Sequence, residues 1–536
     1  MTGNVADVIA QRLYLAGCRH AFGIPGGEVL TLIEALERAG ISFVLTKHEN
    51  AAGFMAEGAY RATGAPGIMV ATVGPGIANG VNAIANASQE HVPLIVLSGC
   101  IESGQALTYT HQVFDHRAVL GPLCKAVFEA TADNADVMID KAIAIATDAR
   151  PGSVHIDLPI AVAVSPAQRP AAILRRAARP TAPAAGSDVD AARALFAASR
   201  RPLLIVGADV LDQPAASPAV RAFSERFGIP VLTSYKAKGV IDEALPLSLG
   251  GHGLSPKSDA IVLPMVAEAD LVICAGYDPI EMRDGWRSPW RAERAIEFVA
   301  TPNTHYMHQA AHSWTCTIAE GLAMLEDARA EGVADDWTGP ARARLEEAFA
   351  ADAGGEWSPA SVVAAIRAAA PRDAVLTLDS GAHRILASQM WTCHEPATLL
   401  QSTALCTMGC GLPLASGYKV AGGERPVIAI MGDAGLDMTL GELTTLRDLG
   451  LPVVVVVFVD SSLSLIEVKQ RASGMPNAGV DFGRTDYAGI AQALGFPGIT
   501  VADVCSLTAA VATAFAAAGP TLIAVALPRR AYDGLL

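Results

Sequence analysis

Short apolar runs alternate with longer amphipathic stretches along most of the chain. Runs of four or five residues that are rich in β-branched side chains predict buried strands, and the amphipathic stretches between them predict helices. In the first part of the chain the runs are His20 to Phe22, Phe43 to Leu45, Ile68 to Thr72, Leu94 to Leu97 and Val154 to Asp157. This alternation predicts a doubly wound parallel α/β sheet.

The same pattern occurs twice more. Further strand candidates are Leu203 to Val206, Pro230 to Thr233, Leu271 to Ala275, Glu297 to Ala300 and Val375 to Leu378. Residues 161–187 are rich in Ala, Pro and Arg, and residues 332–355 are acidic and Ala-rich, which is typical of linkers. We therefore predict three doubly wound parallel-sheet α/β domains, at residues 1–165, 187–332 and 356–536.

The third of these units contains a predicted strand, helix, strand sequence. Val427 to Met431 and Val453 to Val459 read as buried strands. Between them, Thr439 and Glu442 predict a capping box at the start of a helix, and Gly450 predicts its end. The two strands of such a unit run parallel and are expected to be neighbours.

A carboxylate follows each of these two strands. Asp433 and Asp460 would share the crevice at the carboxyl edge of the sheet, where open α/β sheets bind ligands. Two carboxylates that leave room for waters and phosphates suit Mg²⁺. The alternative is that Gly432-Asp433 is only a turn at a strand end.

Composition excludes several classes of function. The chain has 536 residues, 17% of them charged, and a net charge of −15, which argues against a nucleic-acid or anionic-membrane partner. Its nine cysteines form no CxxC pair, so we expect neither a disulfide framework nor a zinc site. We expect no signal peptide and no membrane span, and hence a cytoplasmic protein.

The Gly432-Asp433 to Asp460 spacing resembles the metal-and-diphosphate motif of thiamine-diphosphate enzymes. Two positions depart from that motif: Ala434 replaces a glycine, and Val459 replaces an asparagine or aspartate. The resemblance implies thiamine diphosphate and Mg²⁺ as cofactors, with Asp433, Asp460 and the backbone carbonyl of Ser462 as metal ligands.

Two further blocks, HENAAGFMAEGAYRATGAPG and VATVGPGIANGVNAIANA, are similar to blocks of the same family in the same order. The resemblance makes Glu49 the carboxylate that activates the cofactor, by sharing a proton with its aminopyrimidine ring. The alternative, which does not use the resemblance, is that Glu49 is a solvated carboxylate whose negative charge is stabilised by a helix N-terminus. The cofactor-binding residues that the resemblance implies are Pro25, Gly26, Gly74, Asn79, His383, Cys406, Met408, Gly432, Asp433, Ala434, Gly435, Leu465 and Ile466.

Two blocks resemble the acetolactate synthases, and more closely their catabolic, flavin-free branch. In THQVFDHRAVLGPLCK the resemblance places Gln112 and Lys125 near the substrate, although both also read as surface polar residues. In ADLVICAGYDPIEMRDGW, residues 278–281 occupy the position at which the flavin-binding branch has the sequence element that contacts FAD. No GxGxxG fingerprint occurs in the central domain, so FAD is not expected.

The resemblance implies an enzyme that decarboxylates pyruvate or a similar 2-oxo acid and joins the remainder to a second carbonyl, forming 2-acetolactate. Simple 2-oxo acid decarboxylation is an alternative, although the chain lacks the His-His pair that many such decarboxylases use. An acyl transferase and a catalytically silent cofactor-binding relative are further alternatives. The resemblance also implies a homodimer or homotetramer with sites at the subunit interface.

Overall fold

A computed structural model describes residues 3–102, 104–105, 108–167, 180–280, 282–333, 336–350 and 356–536. These residues form three six-stranded parallel sheets with helices packed around them. The fold class predicted from the hydrophobic pattern, three doubly wound α/β domains, is therefore confirmed. Much of the two predicted linkers, at residues 168–179 and 351–355, lies outside the described residues.

The first domain has the strand order β2-β1-β3-β4-β6-β5. Its strands are β1 (His20–Gly23), β2 (Ser42–Leu45), β3 (Gly67–Ala71), β4 (Leu94–Cys100), β5 (Ala126–Glu129) and β6 (Ser153–Pro159). Its helices are α1 (Val5–Leu15), α2 (Leu30–Ala39), α3 (Glu49–Thr63), α4 (Pro75–Gln89), α5 (His116–Leu120), α6 (Ala135–Thr147) and α7 (Ile160–Val164).

The central domain has the order β12-β11-β10-β7-β8-β9. Its strands are β7 (Pro202–Val206), β8 (Val231–Thr233), β9 (Ser248–Gly251), β10 (Leu271–Ala275), β11 (Ala295–Val299) and β12 (His312–Thr315). The helices of this part of the chain are α8 (Ser187–Ala198), α9 (Ala216–Phe227), α10 (Pro256–Glu268), α11 (Ile318–Glu326) and α12 (Gly339–Ala348).

The third domain repeats the topology of the first, with the order β14-β13-β15-β16-β18-β17. Its strands are β13 (Val375–Leu378), β14 (Leu399–Gln401), β15 (Val427–Gly432), β16 (Val453–Val459), β17 (Gly498–Val501) and β18 (Thr521–Ala526). Its helices are α13 (Pro359–Ala369), α14 (Ala382–Met390), α15 (Gly411–Val420), α16 (Asp433–Met438), α17 (Glu442–Leu449), α18 (Ser464–Ala472), α19 (Tyr487–Ala493) and α20 (Val504–Ala516).

The predicted capping box is wrong. The segment between β15 and β16 forms two helices, and the second begins at Glu442 after Gly441, whose position offers no capping side chain. The Glu442 carboxylate instead accepts backbone N–H groups of Lys47 at 2.8 Å and His48 at 3.1 Å. Glu442 therefore joins the third domain to the loop that precedes α3. Gly450 does end α17, in the left-handed conformation.

Helices α3 and α15 pack closely and hold the first domain against the third. A Cβ on Gly58 would lie 2.2 Å from the carbonyl oxygen of Leu414, and one on Gly417 would lie 1.9 Å from that of Met55. Only glycine allows the two backbones to approach this closely.

The nine cysteines are all free. Among the described residues, no helix combines the length and apolar character that crossing a bilayer requires.

Candidate active site

In the first and third domains the strand order reverses twice, once beside β1 or β13 and once beside β6 or β18. The first of these reversals lies between β1 and β3 in the first sheet and between β13 and β15 in the third. Open α/β sheets bind ligands at the carboxyl edge beside such a point. The predicted residues Pro25, Gly26 and Gly74 lie just after β1 and β3, and residues 432–435 lie at the end of β15 and the start of α16, so the topology brings these residues to two crevices.

The two predicted metal ligands lie close together in the third domain. Asp433 begins α16, and Asp460 follows β16, the strand that pairs with β15. Asp433 Oδ2 accepts the backbone N–H of Ser461 at 2.7 Å, so its side chain reaches the loop that carries Asp460. Asp460 accepts the Ser464 hydroxyl at 2.5 Å and the Ser462 N–H at 3.2 Å.

Both carboxylates are buried and their charges repel each other. Burial, with the negative charge of Asp460 added to it, raises the pKa of Asp433 to about 6. Burial also raises the pKa of Asp460. Their hydrogen bonds come from backbone N–H groups and a hydroxyl, which carry no charge. A divalent cation between them would neutralise both and bring these pKa values down.

Beside this pair, the segment from the end of β13 into α14 contains buried polar atoms with no hydrogen-bond partner among the described residues. They are Asp379 Oδ2, Ser380 Oγ and His383 Nε2. Burial raises the pKa of Asp379 to about 7, and it lowers that of His383 to about 3 with help from the Arg384 charge. His383 is therefore a neutral imidazole at physiological pH.

Glycines allow the backbone to approach these side chains closely. A Cβ on Gly435 would lie 1.8 Å from Asp379 Oδ2, and one on Gly432 would lie 3.1 Å from the His383 ring. His383 was predicted from the sequence, whereas Asp379 and Ser380 were not. The sequence pattern that predicted Asp433 and Asp460, an aspartate directly after a strand, also occurs at Asp379, which follows β13.

Glu49 lies at the start of α3 and is only 5% exposed. Its Oε2 accepts a hydrogen bond from Asn79 of α4 at 3.0 Å, and a Cβ on Gly76 would lie 3.4 Å from its Oε1. The structure therefore brings Glu49 together with two residues of the first turns of α4, in the block that contains Gly74 and Asn79. Gly76, which has no side chain, lies beside the second oxygen of this carboxylate.

A buried hydrogen-bonded chain supports the Gly74 turn from behind. His116 Nε2 accepts the Gly74 N–H at 3.1 Å, and its Nδ1 lies 2.8 Å from Asp157 Oδ1. Ser98 donates to the same oxygen at 2.8 Å and lies 2.7 Å from His155 Nε2. His116, His155 and Asp157 lie close enough to hold a metal ion, but these hydrogen bonds already use the atoms that would bind it.

The predicted Cys406 and Met408 lie on the loop that precedes α15. Cys406 is exposed and has a positive φ of 51°, and Met408 is half-buried. The neighbouring Thr407 accepts a hydrogen bond from Asn82 of α4 at 3.1 Å, and Asn82 also contacts Asn50, next to Glu49. This loop of the third domain therefore touches the elements that hold Glu49.

Other predicted residues are separated. Leu465 packs against the core of the third domain, whereas Ile466, its neighbour on α18, is exposed, so the two side chains do not form one surface.

Lys125 precedes β5 and lies at the amino edge of its sheet, where it donates to the carbonyls of Asp148 at 3.4 Å and Arg150 at 3.2 Å. Gln112 lines a cavity beside Glu28.

The central domain has the strand order of dinucleotide-binding folds, with its reversal between β7 and β10. There, Arg150 Nε lies 3.5 Å from Asp209, and Arg150 Nη1 lies 3.9 Å from Asp278. Charged side chains of the protein thus occupy this crevice edge. Glu281, part of the 278–281 element, lies outside the described residues. That FAD is not needed stays a prediction.

Comparison with protein families gives three matches. The N-terminal thiamine pyrophosphate binding domain matches residues 3–119, the central domain of thiamine pyrophosphate enzymes matches residues 189–320, and their C-terminal binding domain matches residues 379–525.

Three relatives match over almost the whole length. A probable 2-ketoarginine decarboxylase of Pseudomonas aeruginosa is 31% identical over 97% of this chain and 94% of its own. The acetolactate synthase of Bacillus subtilis is 28% identical over 97% and 92%, and the catabolic acetolactate synthase of Raoultella terrigena is 27% identical over 98% and 95%. The chain therefore belongs to the acetolactate synthase-like family of thiamine pyrophosphate enzymes.

Proposed function

We propose that this protein catalyses the thiamine diphosphate- and Mg²⁺-dependent decarboxylation of a 2-oxo acid. The observation that carries this proposal is the crevice of the third domain. Two buried carboxylates there form no ion pair within the described part of the chain, and the polar atoms of Asp379, Ser380 and His383 that have no hydrogen-bond partner there lie beside them. A diphosphate with its metal ion would supply positive charge and hydrogen-bond partners.

Different residues of this crevice would bind the metal ion and the diphosphate. Asp433, Asp460 and the Ser462 carbonyl would hold Mg²⁺, a hard cation that prefers oxygen ligands. Ser380 can donate a hydrogen bond to a diphosphate oxygen, and His383 can do so from Nε2 in that tautomer. Ala434 in place of the usual glycine leaves these ligands intact. Its backbone N–H bonds to Asp433 Oδ1 at 2.9 Å, which orients that carboxylate.

In the first domain, Glu49 would hold the proton that the aminopyrimidine ring needs. When bound, thiamine diphosphate supplies a thiazolium carbon that adds to the 2-oxo group and accepts the electron pair left by CO₂. Asn79 orients the Glu49 carboxylate, and burial excludes water that would compete for the proton.

The fate of the decarboxylated fragment defines two candidates. Addition to a second pyruvate, giving 2-acetolactate, is supported by the resemblance to acetolactate synthases and by the relatives of that name. Protonation, giving a simple decarboxylase, is supported by the 2-ketoarginine decarboxylase relative and by the acidic lining of the cavity beside Gln112.

The experiment is product analysis by mass spectrometry, together with measurement of CO₂ release, with thiamine diphosphate and Mg²⁺ present and no flavin added. Acetolactate formed from two pyruvates would support carboligation and would show that FAD is not required. An aldehyde from the 2-oxo acid would support decarboxylation. Cofactor binding without CO₂ release from any 2-oxo acid would contradict the proposal and favour a catalytically silent relative.

A further inference from the structure

A cavity of about 170 Å³ opens at the reversal between β1 and β3 of the first domain. It lies at the carboxyl ends of β1, β3 and β4, and it is lined by residues that include Glu28, Val73, Glu102, Tyr109 and Gln112. Val73 belongs to the loop that carries Gly74, so the cavity adjoins the predicted cofactor turn. A cavity of this size holds a larger group than the methyl group of pyruvate.

Glu28 is held in this cavity by contacts with the loop after β3, the end of β4 and its own loop. The Thr72 hydroxyl donates to its Oε2 at 2.6 Å. A Cβ on Gly99 would lie 2.5 Å from the Glu28 Cβ, and one on Gly26 would lie 3.1 Å from Glu28 Oε2. Two glycines therefore leave the space that this side chain occupies, and the carboxylate has a fixed position.

The charge of the cavity does not suit pyruvate. Glu28 and Glu102 are both acidic, and the described lining contains one imidazole, that of His111, but no lysine or arginine. In the described part of the chain neither carboxylate is within ion-pair distance of a basic side chain. A 2-oxo acid brings a carboxylate of its own, so a substrate that carries no positive charge would be repelled.

We propose that Glu28 is a specificity-determining residue that selects a 2-oxo acid with a cationic group at its far end. This inference rests on the proposed decarboxylation. A guanidinium or ammonium group at the end of a short carbon chain would neutralise Glu28, and a guanidinium can donate two hydrogen bonds to one carboxylate. Glu102 adds a second negative charge to the same cavity.

The test compares two substrates of nearly equal size, 5-guanidino-2-oxopentanoate, which is cationic at its far end, and 5-ureido-2-oxopentanoate, which is neutral there. CO₂ release is measured with thiamine diphosphate and Mg²⁺, and pyruvate serves as a third substrate. We expect the wild-type kcat/KM to favour the guanidino compound by about thirtyfold or more, since a hydrogen bond to a charged group contributes that much.

Glu28→Gln keeps the size of the side chain and its bond from Thr72 but removes the charge. We expect it to raise KM for the guanidino substrate and to reduce the preference to about threefold or less. Glu34→Gln, which removes only an exposed ion pair with Arg38 on α2, is the matched control and should leave the substrate preference unchanged. The unfolding temperature and the affinity for thiamine diphosphate should be the same in all three proteins.

Equal use of the guanidino and ureido compounds by the wild type would overturn the inference, as would a Glu28→Gln variant that loses activity equally on both. In either case the proposed decarboxylation would stand, because CO₂ is still released. Cofactor binding without release of CO₂ from any of the three substrates would overturn the inference and the proposed function together.

Discussion

At the scale of single residues, Glu49 is the side chain whose chemistry the proposal depends on most. Its neighbours are set by its position at the start of α3, where Asn79 donates to one oxygen and Gly76, which has no side chain, lies beside the other. Replacing the carboxylate by an amide of the same size separates its ability to hold a proton from its ability to fill space.

Glu49→Gln should bind thiamine diphosphate within about threefold of the wild-type affinity and lose at least about a hundredfold in kcat, the usual loss for a proton-transfer group. The glutamine oxygen can still accept the Asn79 hydrogen bond, so binding survives while proton sharing does not. Calorimetric titration and steady-state kinetics measure the two quantities. A near-normal kcat would remove Glu49 from its assigned role.

His252 of the central domain links stability to pH. Its ring bonds to the Ser258 hydroxyl at 2.5 Å and to the Leu249 carbonyl at 2.7 Å, and burial lowers its pKa from 6.5 to about 4. As the pH falls below 6.5, His252 becomes protonated in the unfolded chain but stays neutral in the folded protein. This lowers the free energy of unfolding, by about 2 kcal/mol at pH 5.

His252→Gln should be less stable than the wild type at pH 7.5, because it loses at least one of these hydrogen bonds. The difference in the free energy of unfolding should then shrink by about 2 kcal/mol at pH 5, since glutamine does not titrate. Urea unfolding at the two pH values measures this. A difference that stays constant with pH would show that His252 titrates normally in the folded protein.

At the scale of elements, the sequence identified interior strands well and edge strands poorly. Six strands lacked a prediction, β5, β9, β12, β14, β17 and β18, and five of them lie at a sheet edge. Edge strands are short and often half-exposed, as the alternating burial of β12 illustrates, so they do not give the continuous apolar run that marks a buried parallel strand.

The site was predictable to the extent that its residues follow interior strands. Asp433 and Asp460 could be placed together because they end two neighbouring strands. Asp379 and Glu28 were missed, although each lies on a loop at a strand-order reversal, because that reversal depends on which strands pair. Pairing between strands far apart in sequence is a tertiary property that local pattern does not contain. Glu442 was misassigned for the same reason, since its partners are almost 400 residues away.

The contact between α3 and α15 gives a prediction at this scale. Gly417→Ala places a methyl group against the Met55 carbonyl, at a backbone atom that cannot rotate away. We expect a loss of about 1–3 kcal/mol of stability, the usual cost of overpacking. Thermal unfolding measures it. Gly519→Ala, where a Cβ would meet nothing within 4 Å, is the control. Equal unfolding temperatures for both variants would contradict the packing argument.

At the scale of the whole molecule, the candidate residues are divided between two domains with the same strand order. Glu49 belongs to the first and Asp433 to the third, and the resemblance implies that each complete site combines these domains from two subunits. The homodimer or homotetramer stays a prediction, as does the cytoplasmic location. Both the assembly and the sharing of sites can be tested with variants that are inactive alone.

Mixing Glu49→Gln subunits with Asp433→Ala subunits, after dissociation and reassembly, should restore about a quarter of the wild-type activity, because half of the dimers are mixed and each mixed dimer has one intact site. If each site were formed by one chain, every site would carry one substitution and no activity would return. Kinetics before and after mixing distinguish the two arrangements, and light scattering gives the subunit number.

The most direct test of the account is a calorimetric titration of the protein with thiamine diphosphate, in Mg²⁺ and again in a chelator. We predict binding in Mg²⁺ that weakens by at least about tenfold in the chelator, and an Asp433→Asn variant in which this difference largely disappears. No binding under either condition, or the same affinity with and without Mg²⁺, would contradict the assignment of Asp433 and Asp460 to a metal-diphosphate site.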